Sequence, residues 1–167
     1  TGLITYNKCI NPNIKDDERM FIDFLIKLME VETKIENIKQ ELASYNDFNC
    51  EDVFRLFEYP GNGKISIEEL EQGFNVIGMG EINDFQLRLF MKRFDLKNEG
   101  VITYPEFFDI IVPFEKRLRV EIERRQPNSR IPKDKSVFSP ETLDCLKQVF
   151  FNIIALENEI NDERKKL

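Results

Sequence analysis

Between residues 16 and 43, apolar side chains fall at Phe21, Phe24, Leu28, Val31, Ile35, Ile38 and Leu42. The steps alternate three and four, which is the a/d seam of a coiled coil and predicts one long amphipathic helix. Asp16, Asp17 and Glu18 crowd its start, where the helix dipole favours acids. After a connector over 44–48, Asn49 is an N-cap with Glu51 and Asp52 in the first turn, and Phe54 and Phe57 face inward. Leu70, Phe74 and Ile77 continue a core-facing stripe until Gly78-Met79-Gly80 breaks it. Asn83 caps a further helix carrying Phe85, Leu89 or Phe90, and Phe94. Pro105 sits in the first turn of the next, where its missing N–H does no harm, and Phe107, Phe108, Ile110 and Ile111 follow before Pro113 ends it. An amphipathic basic stretch runs from Phe114 to Arg125. Residues 126–138, with Pro127 and Pro132, read as a linker. Ser139-Pro140-Glu141 opens a last helix with Leu146, Val149, Ile153, Leu156 and Ile160 on one stripe. The pattern predicts an all-α fold.

The last helix repeats the first. At an offset of 125, Glu32 falls on Glu157, Ile35 on Ile160 and Leu42 on Leu167; Phe21, Leu25, Leu28 and Met29 fall on Leu146, Phe150, Ile153 and Ile154. The chain reads as a piece of a longer protein built from helix-plus-pair units, although Gly2 to Phe21 is 19 residues and Gly100 to Leu146 is 46. Its segments are 1–14 (extended), 15–46 (long helix and connector), 47–113 (paired core), 114–138 (basic helix and linker) and 139–167 (repeat of the long helix).

Within 49–113 one pattern occurs twice. Phe57-Glu58-Tyr59-Pro60-Gly61-Asn62-Gly63-Lys64-Ile65-Ser66-Ile67-Glu68-Glu69-Leu70 is followed by Phe94-Asp95-Leu96-Lys97-Asn98-Glu99-Gly100-Val101-Ile102-Thr103-Tyr104-Pro105-Glu106-Phe107. An aromatic precedes loop position 1, glycine holds position 6, isoleucine position 8 and glutamate position 12. The two glycines are 37 residues apart. This frame resembles the EF-hand, in the paired form of calmodulin and centrin, whose calcium loop takes oxygens from positions 1, 3, 5, 7, 9 and 12. The resemblance implies an EF-hand pair with a short two-stranded bridge through Ile65 and Ile102, flanked by the long helices. Thr1-Gly2-Leu3-Ile4-Thr5-Tyr6 is similar to Glu99–Tyr104 and reads either as the tail of an earlier loop or as an arbitrary extended segment.

The resemblance assigns candidate metal ligands residue by residue: Asp95, Glu99, the Val101 carbonyl, Thr103 and Glu106 in the second loop; Glu58, Asn62, the Lys64 carbonyl, Ser66 and Glu69 in the first. Position 3 departs from the pattern in both. Pro60 offers no side-chain oxygen, and Lys97 places an ammonium where a cation's ligand belongs. Lys97 is expected to fold into the acidic loop as an internal counter-ion. Loops kept for shape, with weak calcium affinity at most and no cofactor, are therefore weighed against a working calcium site.

Composition narrows the chemistry. No histidine is present, which removes Ser–His and Cys–His catalysis and imidazole zinc sites; no phosphate-cradling glycine motif is present, and an enzyme is not expected. Cys9, Cys50 and Cys145 have no metal spacing and read as buried thiols. A net charge of −7 argues against a nucleic-acid partner, and no apolar run has the ~18 residues of a membrane span. From Phe114 to Lys135, however, eight Lys/Arg face four Asp/Glu. Lys116, Arg117, Arg119, Arg124 and Arg125 are either a solvated face or a strip for an acidic surface such as tubulin. Phe21, Leu28, Ile35, Ile153 and Ile160 are the apolar partner-binding candidates. The phenylalanines of the pair form either a closed core or an open groove for a partner helix.

The order of parts — long helix, Asp-Phe-Asn link at 47–49, pair, proline, basic helix with Arg124-Arg125 — is similar to a group of multi-EF-hand proteins of protist cilia and cell cortex. That resemblance implies a non-catalytic structural or adaptor role in the cytoskeleton, in cytoplasm or cilium, attached to axonemal microtubules or their proteins. The alternatives are a calcium sensor acting on ciliary motility or a bound target, and a regulatory subunit of an enzyme.

Overall fold

The computed structural model describes residues 15–58, 61–128 and 135–166. The chain divides into two units, residues 1–33 and 34–167. Helix α1 (Asp16–Ser44) begins in the first and ends in the second. In the first unit it exposes Met20, Phe21, Leu25 and Met29, while Phe24, Leu28 and Val31 are half-buried. Residues 1–14, with the Thr1–Tyr6 segment and Cys9, lie outside the described residues.

The second unit holds two helix–loop–helix elements back to back. In the first, α2 (Cys50–Phe57) leads through a loop and strand β1 (Lys64–Ile65) into α3 (Ile67–Ile77). In the second, α4 (Asp84–Phe94) leads through strand β2 (Ile102–Thr103) into α5 (Tyr104–Ile111). Local chemistry sets each start. Asn49 Oδ1 accepts the N–H of Asp52 (3.1 Å), Ser66 and Glu69 form a reciprocal capping box, and so do Asn83 and Gln86. Gly78, at φ 85°, closes α3 in the left-handed conformation expected of a C-terminal glycine. The strands pair antiparallel, Ile65 opposite Ile102 and Lys64 opposite Thr103, and both isoleucines are fully buried. The position-8 residues thus tie the loops together, as the repeat predicts.

Helix α6 (Lys116–Glu123) and a 3-10 turn (Lys135–Val137) lead to α7 (Pro140–Lys166). The sequence leaves open what the pair's apolar face packs against. Here α7 lies on it, packed against α4. Leu146, Val149, Phe150, Ile153, Ile154 and Leu156 are all buried. Phe150 stands among four rings, one from each helix of the pair: Phe57 (5.6 Å between centroids), Phe74 (5.2 Å), Phe90 (6.1 Å) and Phe107 (6.5 Å). These tilted and edge-on contacts are the favourable aromatic geometries. The phenylalanines therefore form a groove with its own occupant.

The end of α1 joins the same core through Ile35, Ile38, Leu42 and Ala43. The Cys145 thiol donates to the Ile38 carbonyl (3.4 Å), and Lys39 Nζ donates to the Asp109 carbonyl (3.2 Å). Arg125 holds the turn after α1. Its guanidinium donates to the carbonyls of Ala43, Tyr45 and Phe48 and to the Glu121 carboxylate. Helix C-termini leave carbonyls without partners, and a cation that supplies several donors there also complements the dipole.

Candidate functional site

The two loops are built alike at their first and sixth positions. Asp95 Oδ2 accepts the N–H of Gly100 (2.6 Å), and Glu58 Oε1 accepts the N–H of Gly63 (2.7 Å). Both glycines have φ 76°, the left-handed turn that demands glycine. The extra methylene of Glu58 does not prevent the same contact. Asp95 Oδ1 also accepts the N–H of Glu99 (3.0 Å).

The position-12 glutamates close the loops from the other side. Glu69 Oε2 accepts the Ser66 N–H (2.8 Å). Glu106, 8% exposed, does more. Its Oε2 accepts the N–H and the hydroxyl of Thr103 (2.8 and 2.9 Å), and its Oε1 accepts the N–H of Leu96 across the loop (3.1 Å). One carboxylate thus holds positions 2 and 9 of the loop together. Charge-assisted bonds of this kind contribute about 1.5–3 kcal/mol each, so the ring of backbone donors is a real competitor for the same oxygens.

Lys97 does not act as the expected counter-ion. It is exposed, and among the described residues it takes part in no ion pair. Asp95 and Glu106 are answered by backbone N–H groups instead, which are already fixed in place. In the first loop Asn62 Oδ1 accepts the Lys64 N–H (2.9 Å), and Tyr59 and Pro60 lie outside the described residues.

Calcium takes six to eight oxygens. The second loop offers Asp95, Glu99, Val101 carbonyl, Thr103 and Glu106, with an ammonium at position 3. Among the described residues no three acidic, cysteine or histidine groups converge closely enough to hold a metal ion. With both oxygens of Glu106 counted, the loop ligands supply six, the fewest calcium takes, and both of those Glu106 oxygens are held by Leu96 and Thr103, so the sphere is not complete as the loop stands.

The partner candidates separate into two groups. Arg119 turns inward, paired with Asp109 and lying 5.0 Å over the Phe108 ring, and Arg125 holds the α1 turn. Ile35 and Ile153 are buried and Ile160 is half-buried. Lys116, Arg117, Arg124 and Phe21 are exposed, and Leu28 is half-buried. The cysteines in view are inert thiols: burial pushes Cys50 up to about 12 and Cys145 up to about 11.

Sequence reasoning missed two residues that shape the site. Phe150 was visible only as the repeat partner of Leu25. Asp47 entered only as part of the Asp-Phe-Asn link, with no role of its own, yet its carboxylate fastens the start of α7. It accepts the Ser139 N–H (2.6 Å) and the Thr142 hydroxyl.

A family model of the EF-hand domain pair matches residues 47–112. Residues 47–112 are an EF-hand pair. Over 62 residues the chain is 37% identical to Calcium-dependent protein kinase 4 of Plasmodium berghei (strain Anka), a match covering 37% of this chain and 11% of the kinase. Over 79 residues it is 28% identical to Calcium-dependent protein kinase 8 of Arabidopsis thaliana, covering 47% of this chain and 15% of that one. The chain thus spans well under a fifth of the length of these relatives. No solved structure matches it at comparable significance. No helix among the described residues is long and apolar enough to cross a membrane.

Proposed function

We propose that this chain is a non-catalytic EF-hand adaptor whose pair is held as a rigid block by its own α7. The observation that carries the reading is Phe150, fully buried among one phenylalanine from each of the pair's four helices. A sensor pair works by opening on calcium and exposing an apolar groove. Here the groove has an occupant, the Glu106 carboxylate is committed to three donors, and position 3 of the second loop is an ammonium. Lys116, Arg117 and Arg124 supply contacts for an acidic partner such as tubulin. A cytoskeletal, axonemal place of action draws its support from the layout of helices around the pair.

Titration calorimetry of calcium into the whole chain tests this. The expected result is no saturable binding tighter than about 10⁻⁴ M; a dissociation constant in the sensor range of about 10⁻⁷–10⁻⁵ M overturns the reading.

The second reading is a calcium-responsive protein. It is favoured by Asp95, Glu99, Thr103 and Glu106 standing on one loop, and by relatives that are named calcium-dependent kinases. The two readings divide on Lys97→Asp. If the ammonium is what spoils the second loop, this variant gains a calcium site that Glu106→Gln abolishes again. No gain rules out our account of position 3.

A further inference from the structure

Helix α1 carries the stripe that α7 uses to fill the EF-hand groove, but there three of its four residues are exposed and the fourth, Leu28, is half-buried. Leu146, Phe150, Ile153 and Ile154 of α7 are all buried, Leu146 and Phe150 completely. Their counterparts at the 125-residue offset are Phe21, Leu25, Leu28 and Met29. Phe21 is 51%, Leu25 39% and Met29 68% exposed, with Met20 beside them at 61%. The remaining correspondences run the length of the helices: Phe24 on Val149, Val31 on Leu156, Glu32 on Glu157 and Ile35 on Ile160. Side chains at i, i+4, i+7 and i+8 lie on one helix face, so α1 presents the same apolar relief as α7.

We propose that the Phe21–Leu25–Leu28–Met29 face of α1 docks in the phenylalanine-lined groove of an EF-hand pair other than that of residues 47–112. The occupant follows from the fit seen within this chain. The groove of residues 47–112 accepts a helix with large apolar residues at those four spacings, and α1 offers Phe, Leu, Leu and Met in the same places. A second copy of this chain is not the partner, because its groove is filled by a tethered helix. A tethered occupant acts at an effective concentration of roughly millimolar, which an untethered α1 does not match. The partner is an EF-hand pair whose groove stands open. The inference shares with the adaptor reading the seat of α7 in the groove but not the calcium loops, so a calcium titration that overturns that reading leaves this one standing.

Two measurements on the full chain test it. The first exchanges the stripes: Leu146→Phe, Phe150→Leu, Ile153→Leu and Ile154→Met put the α1 residues into α7. The expected result is one cooperative thermal transition at a lowered midpoint, since cores tolerate simultaneous apolar substitutions that keep total volume and patterning, whereas serine at the same four positions removes it. An exchange variant that melts as poorly as the serine variant overturns the proposal, because the α1 stripe then does not fit an EF-hand groove. The second measurement uses calcium-loaded calmodulin, whose grooves are open, as the probe in calorimetry against the full chain. Saturable binding is expected, weakened about 10- to 100-fold by Leu25→Glu, the loss that one buried leucine implies. Leu25 is exposed and glutamate is a comparable helix former, so the variant keeps its fold. No binding to calmodulin, or binding that Leu25→Glu leaves unchanged, overturns the proposal.

Discussion

Gly73 sits in the middle of α3, where glycine ordinarily costs a helix about 1 kcal/mol relative to alanine. The simple expectation is that Gly73→Ala stabilises. The structure reverses the sign. A Cβ there would stand 2.0 Å from Cδ1 of Phe57, and Phe57 has no room to retreat, being fully buried against Phe74, Phe107 and Phe150. Overpacking of this kind costs about 1–3 kcal/mol, so Gly73→Ala should lower the urea midpoint rather than raise it. A raised midpoint would show that α2 and α3 can move apart freely. Gly73 was not legible in the sequence, because a helical glycine without a turn has no local signature. Gly63 and Gly100 were legible, since position 6 of the loop frame demands their positive φ. Lys97 was misread for a related reason. Charge alone suggested a partner for the acids, but the competing donors are backbone N–H groups whose direction only the folded loop fixes.

At the scale of the element, periodicity placed the helices and left their neighbours open. Helices α1 and α7 carry one pattern and meet different fates, which no count of apolar positions distinguishes. What fastens α7 at its start is polar. Burial alone would raise the pKa of Asp47, but the Ser139 N–H and the hydroxyls of Thr142 and Ser139 outweigh it and hold the carboxyl below its usual value. A depressed pKa in the folded state means that Asp47 contributes stability above its unfolded pKa, near 3.9, and loses it as the pH falls through the folded value. At pH 6, Asp47→Ala should therefore cost about 1–3 kcal/mol, the worth of two bonds to a carboxylate less what water restores. At pH 3 the difference between wild type and variant should shrink, because the carboxyl of the unfolded chain is then largely protonated while the folded one is still held charged. Urea denaturation at the two pH values measures this. An equal gap at both would mean that the Asp47 charge does not hold α7.

At the scale of the molecule, the second unit can come apart in two ways. Helix α7 can leave as a latch, with the EF-hand pair intact behind it, or the pair and α7 can unfold together. The packing favours the second. Phe150 touches α2, α3, α4 and α5 through one ring each. Arg93 of α4 reaches Glu157 at 3.5 Å, and the end of α1 is joined to α7 through Ile38 and Cys145. With α7 gone, each helix of the pair would show a phenylalanine to water at once. Phe150→Ala should accordingly lower global stability by about 3–5 kcal/mol, the usual cost of emptying a buried aromatic site. The urea midpoint should fall with the m-value unchanged, because the same surface is exposed when the whole unit unfolds. Far-ultraviolet circular dichroism and tyrosine fluorescence should follow one transition. A second, earlier transition that carries only part of the helical signal would instead mark α7 as a detachable latch, and the EF-hand pair as a block that stands without it.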